Sequence, residues 1–444
     1  MSTRDAFIAV NRFGLGARRG ELRETAADPR GWVKAQVHSP ITLPAALSEF
    51  PSSNEIIAAF MSVRKQARMS GDKTMLKAKR KVLRKAYVAE AASLIKVRVE
   101  TEEPVIERLT AFWCNHFTVS VRKPIVTGIA GAFEREAIRP HVLGRFSDML
   151  HAVVRHPAML AYLDNMQSIG PNSIVGIRRD RGLNENLARE VLELHTLGVD
   201  GGYTQADVRE FAKILTGWSV NRREGTGAFA FYARNHEPGG KSLLGKRYPD
   251  SGMEEGVAAL DDLARHSATA RHLAFKLARH FVSDRPPQGL VESLAGVFLE
   301  TGGDLRAMSE MLIDSREVWE TPLPKIKTPS EFVVSAMRAI EYRGEPRRLY
   351  LALRLLGQAP YAAPSPAGWP DEAAKWISPH ALLQRAEFAM RIGRRLRGGD
   401  VAERLLSQTI GPVAARATRV AVTEVPDRIE AVATLFASPE FQRR

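Results

Sequence analysis

Apolar residues recur at helical spacing along most of this chain of 444 residues. This periodicity places every third or fourth side chain on one face, so a chain dominated by it packs helices against helices. We therefore predict a mainly α fold with helix in more than half of the residues, either one large domain or two packed helical subdomains. The weakest boundary falls near residue 250. It would separate an N-terminal helical region, 1–250, from a C-terminal helical region, 251–444, packed against it.

One stretch departs from the helical period. Residues 227–248, GAFAFYARNHEPGGKSLLGKRY, alternate in side-chain character, and the EPGG within them is typical of a turn. This pattern predicts a small β-hairpin as the one regular sheet of the protein. The turn carries His236, Glu237 and Lys241, and such a turn can either place a histidine at the mouth of a site or simply reverse the chain.

The positive charge is concentrated in one segment. Residues 64–98 hold twelve lysines and arginines against Asp72 and Glu90, which gives this segment +10 of the total net charge of +14. We expect it to form a largely exposed basic helix, among helices predicted over 53–68 and 72–100. A solvated helix face is the simplest interpretation, and docking of an anionic partner is the alternative. The segment has no known nucleic-acid-binding motif, which argues against nucleic acid.

Several classes of protein are excluded or disfavoured. No run of 18 or more apolar residues is present, so no transmembrane helix is expected. The single cysteine, Cys114, excludes an intramolecular disulfide and a cysteine-clustered zinc site. The first twenty residues lack the features of a secretory signal, which favours a cytoplasmic location, with export alongside a partner as the alternative.

The stretch NENLAREVLELHTLGVDGG, residues 184–202, is rich in polar groups for a predicted helix. We expect Asn184 as its N-cap and Gly198 just beyond its C-terminus. A helical wheel places on one face a set of amide, guanidinium and carboxylate side chains: Asn186, Arg189, Glu190 and Glu193. A solvated helix normally mixes lysine with glutamate, and this face has no lysine. We therefore predict that it is buried and forms the floor of a site.

Two buried carboxylates need counter-charges, and Arg189 can neutralise only one of them. We hypothesise that a catalytic or metal-binding pocket combines the carboxylate pair with two histidines, as Glu190, Glu193, His116 and His236. Its supporting residues would be Asn186, Arg189, Asn115 and Lys241. Carboxylate and imidazole ligands suit a divalent Fe, Mn or Zn ion, and metal-free acid–base catalysis is the alternative. His116 also lies on an apolar helix face, where a hydrogen-bonded core histidine is the simpler interpretation. The histidines of the later helices are interpreted as structural: His266, His272 and His280.

Several long segments occur in a fixed order along the chain. They include NRFGLGARRGEL, RLTAFWCNHFTVS, NENLAREVLELHTLGVDGGYTQADVREFAKILTGW, FYARNHEPGGKSLLG and GWPDEAAKWISPHALLQRAEF. Together they resemble the bacterial family named domain of unknown function 1800, from about residue 7 to residue 440. The resemblance implies no established activity. It implies that relatives are often exported, and that a partner of the domain-of-unknown-function 1501 type is often encoded beside them. That partner type resembles alkaline phosphatases and sulfatases.

Three classes of function remain open at this point. The first is a metal-binding protein or hydrolase-like enzyme with a carboxylate and histidine site. The second is a non-catalytic helical scaffold or escort for an exported phosphatase- or sulfatase-like protein, which would dock through the basic helix 64–98. The third is a nucleic-acid or membrane-surface binder that uses the same basic helix, and it has the least support.

Overall fold

The computed structural model describes residues 3–72, 74–180, 182–221, 224–320 and 323–444. Helices account for 62% of the residues, and the strands form only two small antiparallel pairs. The prediction of a mainly α fold is therefore confirmed. Within the described ranges, no helix combines the length and the apolar character that crossing a bilayer requires.

The helices follow one another closely along the chain. In the first part of the chain they are α1 (Thr3–Ile8), α2 (Glu21–Thr25), α3 (Pro29–His38), α4 (Ala45–Ser48), α5 (Ser53–Ser70), α6 (Thr74–Glu100), α7 (Pro104–His116), α8 (Ala130–Phe133), α9 (Phe146–Arg155), α10 (Pro157–Tyr162), α11 (Ile174–Arg179) and α12 (Asn186–Glu190). They continue as α13 (Gln205–Ile214), α14 (Met253–Arg265), α15 (Ser267–Phe281), α16 (Gln288–Glu300), α17 (Leu305–Asp314), α18 (Glu317–Glu320), α19 (Pro329–Ala339), α20 (Pro346–Leu355), α21 (Pro379–Gly393), α22 (Val401–Thr409), α23 (Arg416–Thr423) and α24 (Arg428–Ala437). Turns of π-helix occupy Ala9–Phe13, Glu134–Ile138 and Val191–His195.

Local sequence signals determine where several helices begin. Capping boxes start α5 at Ser52, α13 at Thr204 and α19 at Thr328. In a capping box, the N-cap hydroxyl and a carboxylate three residues later each accept a hydrogen bond from the other residue's backbone amide. Proline at the first helical position, as in α3 and α7, tolerates the missing amide hydrogen there.

Two large apolar clusters and a small one, made of Leu47, Leu94 and Val97, form the core. The first extends from Ile8 to Trp319 and includes α14–α17, and its centre is aromatic, with Trp113, Phe117 and Phe146. The second joins the segment around Phe7 to residues 87–99 and 332–441. Adjacent residues of α1 therefore belong to different clusters. The clusters group the chain differently from the division near residue 250 expected from the sequence, because α14–α17 pack into the first cluster.

A small hairpin is present near 227–248, as expected, but its turn is not at EPGG, and the strand at 229–231 pairs outside this range. Strand β1 (Trp218–Val220) pairs with β2 (Phe229–Phe231), and β3 (Lys241–Leu243) pairs with β4 (Lys246–Tyr248), both antiparallel. EPGG therefore connects two separate ribbons. The turn between β3 and β4 is Leu244-Gly245, with φ of 51° and 77°. Two consecutive residues with positive φ are typical of the two-residue hairpin turn whose twist matches that of the strands. The sequence predicts such a turn only weakly here, because leucine rarely adopts a positive φ.

The basic segment 64–98 is also different from the single exposed helix expected. It spans the end of α5, a turn at Gly71 with φ of 70°, and most of α6. Its first half is exposed, whereas the second half of α6 packs into the core through Tyr87 and a row of aliphatic side chains. Most of the cations of α6 precede Tyr87, and the part of α6 after Tyr87 carries the apolar side chains that pack into the core.

Candidate functional site

The polar segment 184–202 forms a helix of two kinds. Its first part is α12, and it continues into a π-helical turn that ends at His195, where the Thr196 hydroxyl donates to the Val191 carbonyl at 2.6 Å. The N-cap is Glu185 rather than the expected Asn184, whose side chain accepts a hydrogen bond from the Asn186 amide at 3.0 Å. Turns of this width leave backbone carbonyls without partners inside the helix, and they are frequent at functional sites.

The predicted burial of the polar face is wrong. Asn186 is exposed, and Arg189, Glu190 and Glu193 are half-buried. Arg189 pairs with Glu185 at 2.9 Å and with neither glutamate of the expected pair. The helix buries its other side, with Leu187 and Val191 among its buried residues, and so its polar side lies at the surface of the fold.

The two glutamates still influence one another. Burial and, second, the negative charge of Glu193 raise the pKa of Glu190 above its ordinary value. The Tyr203 hydroxyl lies 3.5 Å from Glu193. Among the described residues, no hydrogen bond or ion pair joins either glutamate to His116 or His236. The structure thus separates the four residues that the sequence hypothesis placed in one pocket.

His236 lies in a different place, where it is buried with Lys241 and Glu255. Its Nδ1 donates to the Thr216 carbonyl at 2.9 Å, and its Nε2 contacts both the Glu255 carboxylate and the Lys241 ammonium, the latter at 3.1 Å. Lys241 also donates to Glu255 at 2.7 Å and to the Glu237 carbonyl at 2.5 Å. The Glu255 carboxylate thus contacts both the ammonium and the imidazole, which ties the turn to α14.

This cluster also contains the one set of possible metal ligands among the described residues. The ligand atoms of His236, Asp250 and Glu255 lie within 4.8 Å of one another. Lys241, however, contacts the same imidazole nitrogen and the same carboxylate that a metal would need. A cation could bind there only by displacing the ammonium, so the donor set suits the lysine better than a metal ion.

His116 and His272 meet at the end of the π-helical turn. His116, on α7, donates from Nε2 to the His195 carbonyl at 3.1 Å, and His272, on α15, donates from Nε2 to the Leu194 carbonyl at 3.1 Å. A carbonyl only accepts, so each Nε2 carries the proton and each Nδ1 is left as an acceptor. Two distant helices thus satisfy consecutive carbonyls that the π-helical turn exposes.

Gly198 makes this approach possible. Its φ is 84°, and a Cβ atom built there would lie 2.8 Å from Nδ1 of His272. The expected glycine after the helix is therefore needed both for the left-handed backbone and for the close passage of the imidazole.

These residues open onto a cavity of about 740 Å³. Its walls come from four separated parts of the chain, which are α7, the segment 194–200, α15 and the segment 364–371. The apolar wall consists mainly of Phe112, Phe275, Trp369, Leu194 and Leu197, and the polar lining includes Asn115, His116, Arg271, His272, Lys276, Arg279 and Asp371. The volume falls in the range of small-molecule sites.

Lys276 is one of several charged side chains that line this cavity, with Arg271, Arg279 and Asp371. Lys276 is half-buried and, among the described residues, has no hydrogen-bonding partner or ion pair. Burial lowers its pKa to about 8. Burial and then the nearby Lys276 lower the pKa of His272 to about 4 and of His195 to about 3, and hold the pKa of His116 well below its usual range. Near neutral pH the cavity therefore contains one ammonium beside neutral imidazoles.

Asn115 holds one wall of the cavity in place. Its side chain donates to the Trp369 carbonyl at 3.0 Å and accepts from the Trp369 amide at 2.7 Å. The next anchor is Asp371, which accepts from His280 at 3.1 Å, and the positive charges around Asp371 hold its pKa well below the usual range. Asn115 and Asp371 are therefore held in the wall by hydrogen bonds, whereas Lys276 has no hydrogen-bonding partner among the described residues.

The sequence hypothesis therefore identified part of this cavity. Asn115 and His116 line it, whereas the carboxylate pair and His236 lie elsewhere. It missed His272 and Lys276, which had a usable signal, since they stand four residues apart on one face of α15 and are followed by Arg279. His272 was interpreted as structural, and its hydrogen bond does hold a helix end, but its other nitrogen also faces the cavity that Gly198 borders. Asp371 gave no signal, because its segment has no regular period.

Comparison with known proteins gives one result. A family model described as a protein of unknown function, DUF1800, matches residues 8–443. No curated protein and no solved structure matches the chain.

Proposed function

The chain belongs to the DUF1800 family of proteins of unknown function, and for it we propose a hydrolase-like role on a small anionic substrate bound in the cavity around Lys276. The observation that carries this proposal is the unpaired, half-buried ammonium among neutral imidazoles. The nearby carboxylate of Asp371 opposes the effect of burial on the pKa of Lys276, but Asp371 is engaged with His280 and forms no ion pair with Lys276, so a bound anion would supply a closer counter-charge.

The lining of the cavity favours a particular kind of anion. Phe112, Phe275 and Trp369 contribute aromatic side chains to the lining, and Arg271 and Arg279 add cations. Arg279 is paired with Glu372 at 3.7 Å, and Arg271 is exposed to solvent, so among the described lining residues Lys276 is the half-buried cation without an ion pair. A ligand with a flat apolar part and a phosphate, sulfate or carboxylate group matches both surfaces.

The same groups can transfer protons. An ammonium with a pKa of about 8 is protonated at neutral pH and can donate to a departing oxygen. The bare Nδ1 of His272 can accept a proton from water, and a bound anion would raise its basicity by opposing the effect of Lys276. Hydrolysis of an anionic ester is the simplest reaction that uses a donor, an acceptor and a water molecule.

Calorimetric titration tests the binding step. Phenyl phosphate should bind to the wild-type protein and at least about tenfold more weakly to Lys276→Met, a loss of about 1.4 kcal/mol. The exposed Lys77→Met, which removes the same charge, is the control and should bind as the wild type does. Equal binding by all three proteins would overturn the proposal. Turnover of 4-nitrophenyl phosphate and 4-nitrophenyl sulfate then tests the chemical step.

The divalent Fe, Mn or Zn ion considered from the sequence stays a prediction. The contacts of Glu190, Glu193, His116 and His236 do not support a shared metal, and Lys276 would repel a cation near His116. Metal analysis of the purified protein tests it, and a stoichiometric metal lost from Glu193→Gln would favour the metal site over the anion site.

A second candidate function has its own supporting observation. The exposed lysines and arginines of the α5–α6 hairpin that have no ion pair among the described residues are Arg64, Lys65, Arg68, Lys77, Arg80, Lys81, Arg84 and Lys85. They suit a scaffold that docks an acidic partner, for which the family resemblance suggests a domain-of-unknown-function 1501 type protein. Changing Lys77, Arg80, Lys81 and Arg84 to Glu should abolish copurification with that partner, and unchanged copurification would exclude this surface.

A further inference from the structure

A second, larger cleft lies beside the α5–α6 hairpin. It measures about 1620 Å³ and runs between α5, the start of α6 and the segments 157–179 and 219–235. Its apolar lining consists mainly of Ile56, Ile57, Phe60, Met61, Leu76, Leu83, Ile125, Ile129, Met166, Ile169 and Val175. The volume exceeds that of a typical site for a small polar molecule.

The chemical character of the cleft lining changes along α5. The first two turns contribute Ile56, Ile57, Phe60 and Met61, and the following turns contribute the exposed cations of the range 64–68. At 1.5 Å per residue, the centres of the apolar and cationic stretches lie about 10 Å apart along the helix axis. One wall thus changes from apolar to positively charged along its length.

The cations at this end are available to a ligand. Arg64, Lys65, Arg68 and Arg179 are exposed and have no ion pair among the described residues, whereas Lys123 is engaged with Asp164 at 2.5 Å. Apolar side chains that are large and exposed continue the surface beyond the cleft, with Ile177 the most exposed of α11 at 73%. Contiguous apolar surface rimmed by charge marks a binding site.

We propose that this cleft binds a lipid molecule with an acidic headgroup, whose acyl chain lies along the apolar stretch of α5 and whose headgroup meets Arg64 and Arg68. Charge complementarity selects an anionic over a zwitterionic or neutral lipid. The concave shape selects a single lipid taken into the cleft over the flat face of a bilayer, because a bilayer cannot enter a cleft without losing its own packing. This assignment is independent of the anion site around Lys276.

The test uses hexadecanoate, below its aggregation concentration, as the probe in calorimetric titration with the full chain. Hexadecanoate should bind, and hexadecanol, which keeps the chain but lacks the charge, should bind at least about tenfold more weakly. The double variant Arg64→Glu/Arg68→Glu should lose a similar factor. Lys81→Glu/Arg84→Glu makes the same change of charge on exposed residues outside the cleft and should bind as the wild type does.

Three outcomes would overturn the proposal. Failure of hexadecanoate to bind the wild-type protein is the first. Equal losses in the two double variants are the second, because they would indicate a general charge effect. The third is sedimentation with phosphatidylglycerol vesicles in the absence of binding to hexadecanoate, which would make the surface a membrane-docking face. Phe60→Asp places a negative charge within the apolar stretch and should abolish hexadecanoate binding. Its helical circular dichroism should match that of the wild type, which shows that the variant is folded. Retained binding would exclude the position assigned to the acyl chain.

Discussion

His116 donates a hydrogen bond to the backbone carbonyl of His195 at 3.1 Å, across 79 residues of sequence. The bond exists because the π-helical turn at Val191–His195 leaves that carbonyl free, and because α7 brings an imidazole to it. The histidine that the sequence presented as a possible metal ligand is therefore the cap of a helix end, with its remaining nitrogen unpartnered at the wall of a cavity.

Replacing His116 with Leu should destabilise the fold. The change leaves the His195 carbonyl buried without a donor, which costs about 1–3 kcal/mol. Urea unfolding measures the loss. His38→Leu is the control, since His38 is largely exposed and its pairing with Glu310 at 2.9 Å contributes little. Equal stability of the two variants would contradict the assigned role of His116.

The charge state of Lys276 should appear as a dependence of stability on pH. Burial lowers its pKa from 10.5 to about 8 in the folded protein, so the cost of its charge is fully present below pH 8. The cost fades between pH 8 and 10.5, where the unfolded chain binds the proton more strongly. Lys276→Met should therefore be more stable than the wild type at pH 7, by at most about 3 kcal/mol, with a smaller difference at pH 10. Denaturant unfolding at both values checks this, and a difference that grows with pH would contradict it.

The affinity for an anion should fall as Lys276 loses its proton. Because the ammonium is lost as pH rises through about 8, the affinity for phenyl phosphate should fall between pH 7 and pH 9.5. The pH dependence should be absent in Lys276→Met. Calorimetry across this range measures it, and an affinity that is constant with pH in the wild type would separate the ligand from this lysine.

The cluster of Lys241, His236 and Glu255 offers a test of a buried ion pair. Lys241→Met leaves the Glu255 carboxylate buried without its cation, and we expect a loss of about 3–5 kcal/mol. Lys241→Met/Glu255→Gln removes both charges and should recover much of that loss. A double-mutant cycle from urea unfolding measures the coupling, and a coupling energy near zero would indicate that the two charges do not depend on each other.

The titration of Glu190 should depend on the neighbouring Glu193. Burial and then Glu193 raise the pKa of Glu190, so the folded protein binds this proton more strongly than the unfolded chain does. Stability should therefore fall as the pH rises from the ordinary pKa of a glutamate to the raised pKa of Glu190. Glu193→Gln should lower the pKa of Glu190 towards its ordinary value, as measured by carboxyl carbon chemical shifts. An unchanged titration would show that burial alone sets the pKa of Glu190.

Helical periodicity determined the fold class, and capping signals determined several helix starts and the glycine that follows the polar helix. These are local properties, in which neighbours within one or two turns decide the outcome. The alternation around Phe229 and Phe231 also predicted a strand correctly, but its partner is Trp218–Val220 and lies before the turn, because pairing depends on which segment the core brings alongside. Periodicity likewise located the polar face of α12 but could not say which side would be buried.

The cavity around Lys276 depended on tertiary structure. Asn115 and His116 were selected from the sequence for their side chains, yet their partners come from α15, the π-helical turn and the segment 364–371. No spacing along the chain relates these parts, because their approach follows from packing around the aromatic core. The pKa of Lys276 has the same origin, since it is set by burial, which a helical wheel does not measure. The sequence therefore supplied the chemical groups, and the packing of distant helices decided which of them meet.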